Sequence, residues 1–177
     1  MMRSIRIIGL FAMCGLLGCQ GASMAPESER CGSRRCMYSF FEERTYTVND
    51  TIFTFPLLVL EEGNELVFRY TPYEPSSSDR HVPEEGRVDQ FYFKVSADLE
   101  SFSFEDEELE NIELTLQPFH NHPFDDIVYA AIDIRKGTVR GEKQRDNRWE
   151  IEMVIRYGDP GNESQEEVDA IFWLKEL

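Results

Sequence analysis

Basic residues are scarce: 18 Lys and Arg stand against 34 Asp and Glu in 177 residues, a formal net charge of −16. So acidic a chain is repelled by polyanions, which argues against nucleic acid and against electrostatic attachment to an anionic lipid surface. Long apolar runs are missing too. The longest, Ile7–Leu17, has eleven residues, well short of the roughly 20 that a membrane-spanning helix needs. Cysteine occurs four times and never after Cys36, which excludes a disulfide-dense scaffold and leaves no second Cys pair at zinc-ligand spacing. No Gly-x-Ser-x-Gly elbow, phosphate-cradling Gly-rich loop or His-Glu-x-x-His occurs, so catalysis has no motif behind it. The reading is non-enzymatic, and no cofactor is implied.

Aromatic residues, by contrast, are plentiful. With 13 Phe, 7 Tyr and 41% apolar residues the chain can build a real core, and its length fits one domain. The N-terminus is the most specific feature. Met1–Arg6 carries Arg3 and Arg6 and no acid; the eleven apolar residues follow, ending in Leu16-Leu17-Gly18-Cys19. A charged start and a short apolar run have the form of a signal peptide.

The four residues that end the run resemble the lipobox of bacterial lipoproteins. The resemblance covers about the first 20 residues and is silent on the fold that follows. It implies that residues 1–18 are cleaved, that Cys19 carries the lipid, and that its new amino terminus is acylated. More than one acyl chain is needed for stable anchoring. Gln20 in the next position implies sorting to an outer membrane, facing the periplasm or the cell surface. Loss of Arg3 and Arg6 takes the charge to 16 − 34 = −18. Residues 19–30 then read as a flexible tether and 31–177 as the domain.

Cys14 leaves with the signal peptide. Cys31 and Cys36 remain, and export to an oxidising compartment favours a disulfide between them over two free thiols.

From Tyr46 onward the pattern is period two. Phe91, Phe93, Val95, Ala97 and Leu99 alternate with polar residues, as do Trp149, Ile151, Met153, Ile155 and Tyr157. Leu66/Phe68/Tyr70, Ile112/Leu114/Leu116 and Val128/Ala130/Ile132/Ile134 repeat the pattern, with Glu113, Thr115 and Gln117 facing the other way. Further strands are expected around 46–55, 138–145 and 167–175. The only helical candidate, Asp106–Glu113, is short and charge-dense. Alternation with short turns predicts an all-β fold: an antiparallel β-sandwich of about eight or nine strands, with a closed β-barrel as the alternative. The segment 71–86, rich in Pro and Ser, reads as a long loop.

Charge is segregated along the chain. Val95–Ile134 contains eleven acids and no Lys or Arg, whereas Arg135–Arg148 contains six basic residues. Two readings stand. Neighbouring strands pair the opposite signs, or Glu105, Asp106, Glu107, Glu108 and Glu110 form a patch for a basic partner or divalent cations. His120 and His122, with Asp125 and Asp126 close by, are acceptable ligands for a transition metal. Pro118 and Pro123 bracket them and predict a loop. The function these features favour is a lipid-anchored envelope protein that binds another envelope protein through the loop, the acidic stretch, or both. The alternative is a module for divalent metal or for carbohydrate, the latter through Trp149, Trp173 and tyrosines; alternation places Trp149 inward and Trp173 opposite Val168, Ala170 and Phe172.

Overall fold

The computed structural model describes residues 29–31, 34–49, 57–73, 87–120, 132–145 and 147–176. In this part lie eleven strands: β1 (Glu29–Cys31), β2 (Arg34–Asn49), β3 (Leu57–Glu62), β4 (Glu65–Tyr73), β5 (Arg87–Ser96), β6 (Ser101–Glu105), β7 (Thr115–His120), β8 (Ile132–Asp133), β9 (Lys136–Gln144), β10 (Arg148–Asp159) and β11 (Asn162–Leu174). A 3₁₀ helix (Asp106–Ile112) joins β6 to β7. The fold is all-β.

The strands form one mixed sheet curled into a half-barrel, in the order β6-β9-β10-β11-β2-β4-β5-β7-β8, with β1 and β3 added along β2. Antiparallel pairing holds throughout except at β11–β2, which meet in parallel through Trp173–Ser39 and Leu174–Phe40. That seam divides the sheet into two halves that face each other like the layers of a sandwich, while the hydrogen bonding stays continuous as in a barrel. The 3₁₀ helix carries the chain from β6 at one edge to β7 near the other. Its buried Leu109 and Ile112 close the core there.

Period-two alternation explains that core. Phe40, Phe68, Tyr70, Phe91 and Phe93 point inward from the first half; Phe102, Trp149, Ile151, Met153, Ile155 and Phe172 meet them from the second. Phe68 sits at the centre, stacked on Phe93 at 4.7 Å and edge-on to Trp149 at 5.5 Å and Phe172 at 5.8 Å. Such ring pairs add about 0.5–1.5 kcal/mol each beyond their buried area. Gly141 is required here, because any Cβ would strike the Phe102 ring.

The first half is buried on its outer face as well. β2 runs on to Asn49, and a register shift between Phe41 and Arg44, with Glu43 at φ 54°, bends it away from β4. This is how a β-bulge redirects a strand. Arg44 still pairs with Glu65 of β4; beyond it β2 pairs, among the described residues, only with β3, and the two-stranded ribbon folds back across β4, β5 and β7. Tyr46 meets Tyr92 at 6.0 Å and donates its hydroxyl to the Glu113 carbonyl; the Leu58 amide donates to Gln117 Oε1 at 3.2 Å. Phe41, Tyr46, Val67 and Tyr92 form a second apolar cluster beneath this roof.

Several local expectations are corrected. Thr115 and Gln117 do face away from Leu114 and Leu116, yet they are buried, because the ribbon lies over them. Thr71–Tyr73 is the end of β4, not loop, and Glu29 and Arg30, expected in the tether, lie in β1. Pro118 and His120 belong to β7. Proline is tolerated at both Pro72 and Pro118 because neither strand has a described partner on its second side there. The strand expected through Leu99 stops at Ser96. Ile112 is helical, since Glu113 adopts a left-handed conformation at φ 48° and ends the helix before β7 begins.

Candidate functional site

Three polar groupings stand out from the apolar framework. The first is the acidic stretch. Glu105 caps the 3₁₀ helix in a reciprocal capping box with Glu108, and Asp106 Oδ1 accepts from the Gly137 amide at 3.0 Å. Gly137 has φ 129°, and a Cβ there would collide with the Val154 carbonyl. Arg140 reaches Glu105 at 3.2 Å, Arg135 reaches Glu110 at 3.8 Å, and Lys143 reaches Glu100 at 3.1 Å. The acidic and basic blocks of the sequence thus meet across β6, the helix and β9. All five helix-region acids remain exposed, and such exposed pairs contribute only about 0–1 kcal/mol each.

This acidic surface continues over the outer face of β9–β11. Glu142 lies opposite Glu150, and Glu152 opposite Asp169, with Glu167 beside Val154. Like charges placed directly opposite are destabilising. Arg140, the cation beside Glu152, is turned toward Glu105.

The second grouping is buried. Glu166 is an acid on the inward face of β11, only 4% exposed. Arg34 clasps it with two hydrogen bonds of 2.6 and 3.2 Å, and Tyr70 donates its hydroxyl at 2.5 Å. Burial raises the Tyr70 pKa, and the bond to Glu166 raises it further; the same carboxylate raises Arg34. Cys31 of β1 and Cys36 of β2 are disulfide-bonded on either side of Arg34 in the chain, and Cys36 Sγ lies 3.5 Å from the Tyr70 hydroxyl. Guanidinium, phenol and disulfide therefore fasten the start of the domain to β11. This is a fully partnered buried charge, which holds structure and offers no free group for chemistry.

The third grouping lies on the outer face beside the seam. Trp173, Ser39, Arg69 and Tyr92 are cross-strand neighbours on β11, β2, β4 and β5, with Thr71 two residues along from Arg69. Ser39 is 8% exposed and Thr71 1%. Trp173 Nε1, Ser39 Oγ, Arg69 Nε and Thr71 Oγ1 are shielded from solvent and have no hydrogen-bond partner among the described residues. The Arg69 guanidinium lies 5.0 Å from the centre of the Phe41 ring. Burial raises the Tyr92 pKa, and Arg69 beside its hydroxyl opposes that rise.

The expected metal set is not brought together in the described residues. His122, Asp125 and Asp126 lie outside them, and of His120 only the backbone at the end of β7 is described. Among the described residues no group of three or more His, Cys, Asp and Glu could hold a metal ion. Cys19 lies outside the described residues, as does most of the 71–86 segment. Trp149 is in the core and Trp173 on the opposite face. Two features were missed but were legible: Glu166 is the lone acid in phase with Val168, Ala170 and Phe172, and Arg69 follows Val67 on a face taken for solvent.

No family model matches the chain, and no curated protein or solved structure matches it either.

Proposed function

We propose that the protein is a lipid-anchored, non-enzymatic envelope protein whose acidic surface binds a basic surface of another envelope protein. The supporting observation is the acidic surface that runs from the 3₁₀ helix across β9–β11, where like charges face each other across paired strands. Such a register costs stability in the isolated domain. A basic partner turns that repulsion into attraction, speeds encounter and sets orientation. The helix-region acids Glu105, Asp106, Glu107, Glu108 and Glu110 extend the same surface, because all five are exposed and the ion pairs of Glu105 and Glu110 are cheap to exchange.

Anchoring rests on the lipobox at Leu16–Cys19. The ten Cα steps from Cys19 to Glu29 reach at most about 36 Å, which keeps the domain close to the membrane. Among the described residues no helix is long and apolar enough to cross a membrane. Membrane attachment is tested by Cys19→Ala, which is expected to release the chain into the soluble fraction; retention on membranes overturns the anchor. Partner binding is tested by a photo-crosslinker at Glu107 or Glu152 in cells. Recovery of one recurring envelope protein, lost when Glu150 and Glu152 are changed to Lys, is the expected result. Absence of any recurring partner overturns it.

A further inference from the structure

We propose that the row Trp173–Ser39–Arg69, with Thr71 beside it, is a subsite for the carboxylate group of a small ligand. The proposal is independent of the anchor and of the acidic surface. Four unpartnered buried polar atoms in adjacent positions of three neighbouring strands are unusual, because each such atom costs about 1–3 kcal/mol and native proteins hold few of them. Adjacent strands lie about 4.8 Å apart, so the four side chains project from a patch no wider than a small organic acid or a single sugar.

Their chemistry selects the ligand. An indole N–H and a guanidinium N–H can only donate, and the two hydroxyls donate or accept as required. The row is therefore short of acceptors. Water would fill hydrogen bonds but would leave the Arg69 charge with only neutral neighbours, the Phe41 ring and the Tyr92 hydroxyl; among the described residues no carboxylate pairs with Arg69. A neutral sugar leaves the same charge unmatched. A phosphate dianion brings more charge than one half-buried guanidinium balances. A carboxylate matches a single guanidinium in charge, and its two oxygens accept from several donors at once. In a chain of net charge −16 such a ligand is repelled at long range, so affinity comes from this local donor set.

The test uses the full-length chain, ¹⁵N-labelled at its indoles and purified in mild detergent. Two tryptophans give two indole N–H signals, assigned with Trp173→Phe. The probes are acetate, glucuronate, glucose and phosphate at constant ionic strength. Acetate or glucuronate is expected to move the Trp173 signal saturably and leave Trp149 in place, whereas glucose and phosphate move neither. Stronger binding of glucuronate identifies an acidic sugar as the natural class; equal binding identifies a simple organic acid. Arg69→Gln is expected to weaken binding by about tenfold, the loss of one charge-assisted contact. If that variant does not fold, Ser39→Ala carries the test, with about a fivefold loss for a neutral hydrogen bond. No saturable carboxylate response at tens of millimolar, an equal response to glucose or phosphate, or a response unchanged in the folded variants overturns the proposal.

Discussion

The two halves of the sheet present opposite outer faces. On β2, β4, β5 and β7 the outer side chains include Ser39, Phe41, Val67, Thr71, Tyr92, Thr115 and Gln117, all buried, and the half-buried Met37, Arg69, Gln90 and Lys94, partly beneath the β2–β3 ribbon. On β9, β10 and β11 they include Arg140, Glu142, Glu150, Glu152, Glu167 and Asp169, all exposed. The same strand geometry serves both. A roofed face must satisfy its polar atoms within the protein or with a ligand, and it leaves four without partners. A bare face satisfies its polar atoms with water and is free to carry repulsive charge. The first therefore suits a small bound group, the second a macromolecular surface.

The largest expected effect comes from the core that joins the halves. Phe68→Ala removes a ring touching Phe93, Trp149 and Phe172, and about 3–5 kcal/mol should be lost in denaturant unfolding. Glu152→Ala on the bare face should stay within about 0.5 kcal/mol of wild type; equal costs would erase the distinction. Next is Arg34→Met, which strands the Glu166 carboxylate. Because Arg34 is 36% exposed, the loss should be roughly 2 kcal/mol, below that of a fully buried pair. Adding Glu166→Gln should recover most of it, and a double-mutant cycle reads the difference.

The roof is probed by Tyr46→Phe, which removes one hydrogen bond to the Glu113 carbonyl and should cost about 1 kcal/mol. The same residue carries a pH signature. Burial raises the Tyr46 and Tyr70 phenols above their ordinary value of 10. The unfolded chain releases these protons first, so their contribution is intact below about pH 10 and declines as pH rises beyond it. Phenolate absorbance from these two rings should therefore increase only together with loss of the β signal in circular dichroism. Tyr46→Phe should flatten the alkaline decline. The smallest effect is on the bare face: Glu150→Gln relieves the opposition to Glu142 and should raise stability by a few tenths of a kcal/mol. A loss instead would mean that the acids are not in repulsion.

Much of the framework was legible. The alternation at Trp149–Tyr157 and Phe91–Val95 set the inward residues correctly, and Trp173 was placed on the right face. What escaped was the second burial. Thr115 and Gln117 are polar, carry no mark of the ribbon that bends over them, and read as solvent-facing until that ribbon is seen. The left-handed Glu43 that turns β2 is an unmarked residue for such a bend, since glycine is its usual carrier. The pairing of the Val95–Ile134 acids with Arg135–Arg148 was visible as segregated charge, but which acid met which base required the register of β6 on β9. The candidate subsite was least legible, because Ser39, Arg69 and Trp173 come from distant parts of the chain.

By itself the sequence determined the all-β class, the inward face of the strands around Leu66–Tyr70, Phe91–Val95, Trp149–Tyr157 and Val168–Phe172 and the lipobox-like start, because period two and short local motifs are properties of consecutive residues. The tertiary structure alone decided that one sheet curls on itself, that one outer face is roofed and the other bare, and that Arg34 finds Glu166. Those outcomes depend on contacts between residues far apart in the chain, where geometry and not local pattern sets the energy.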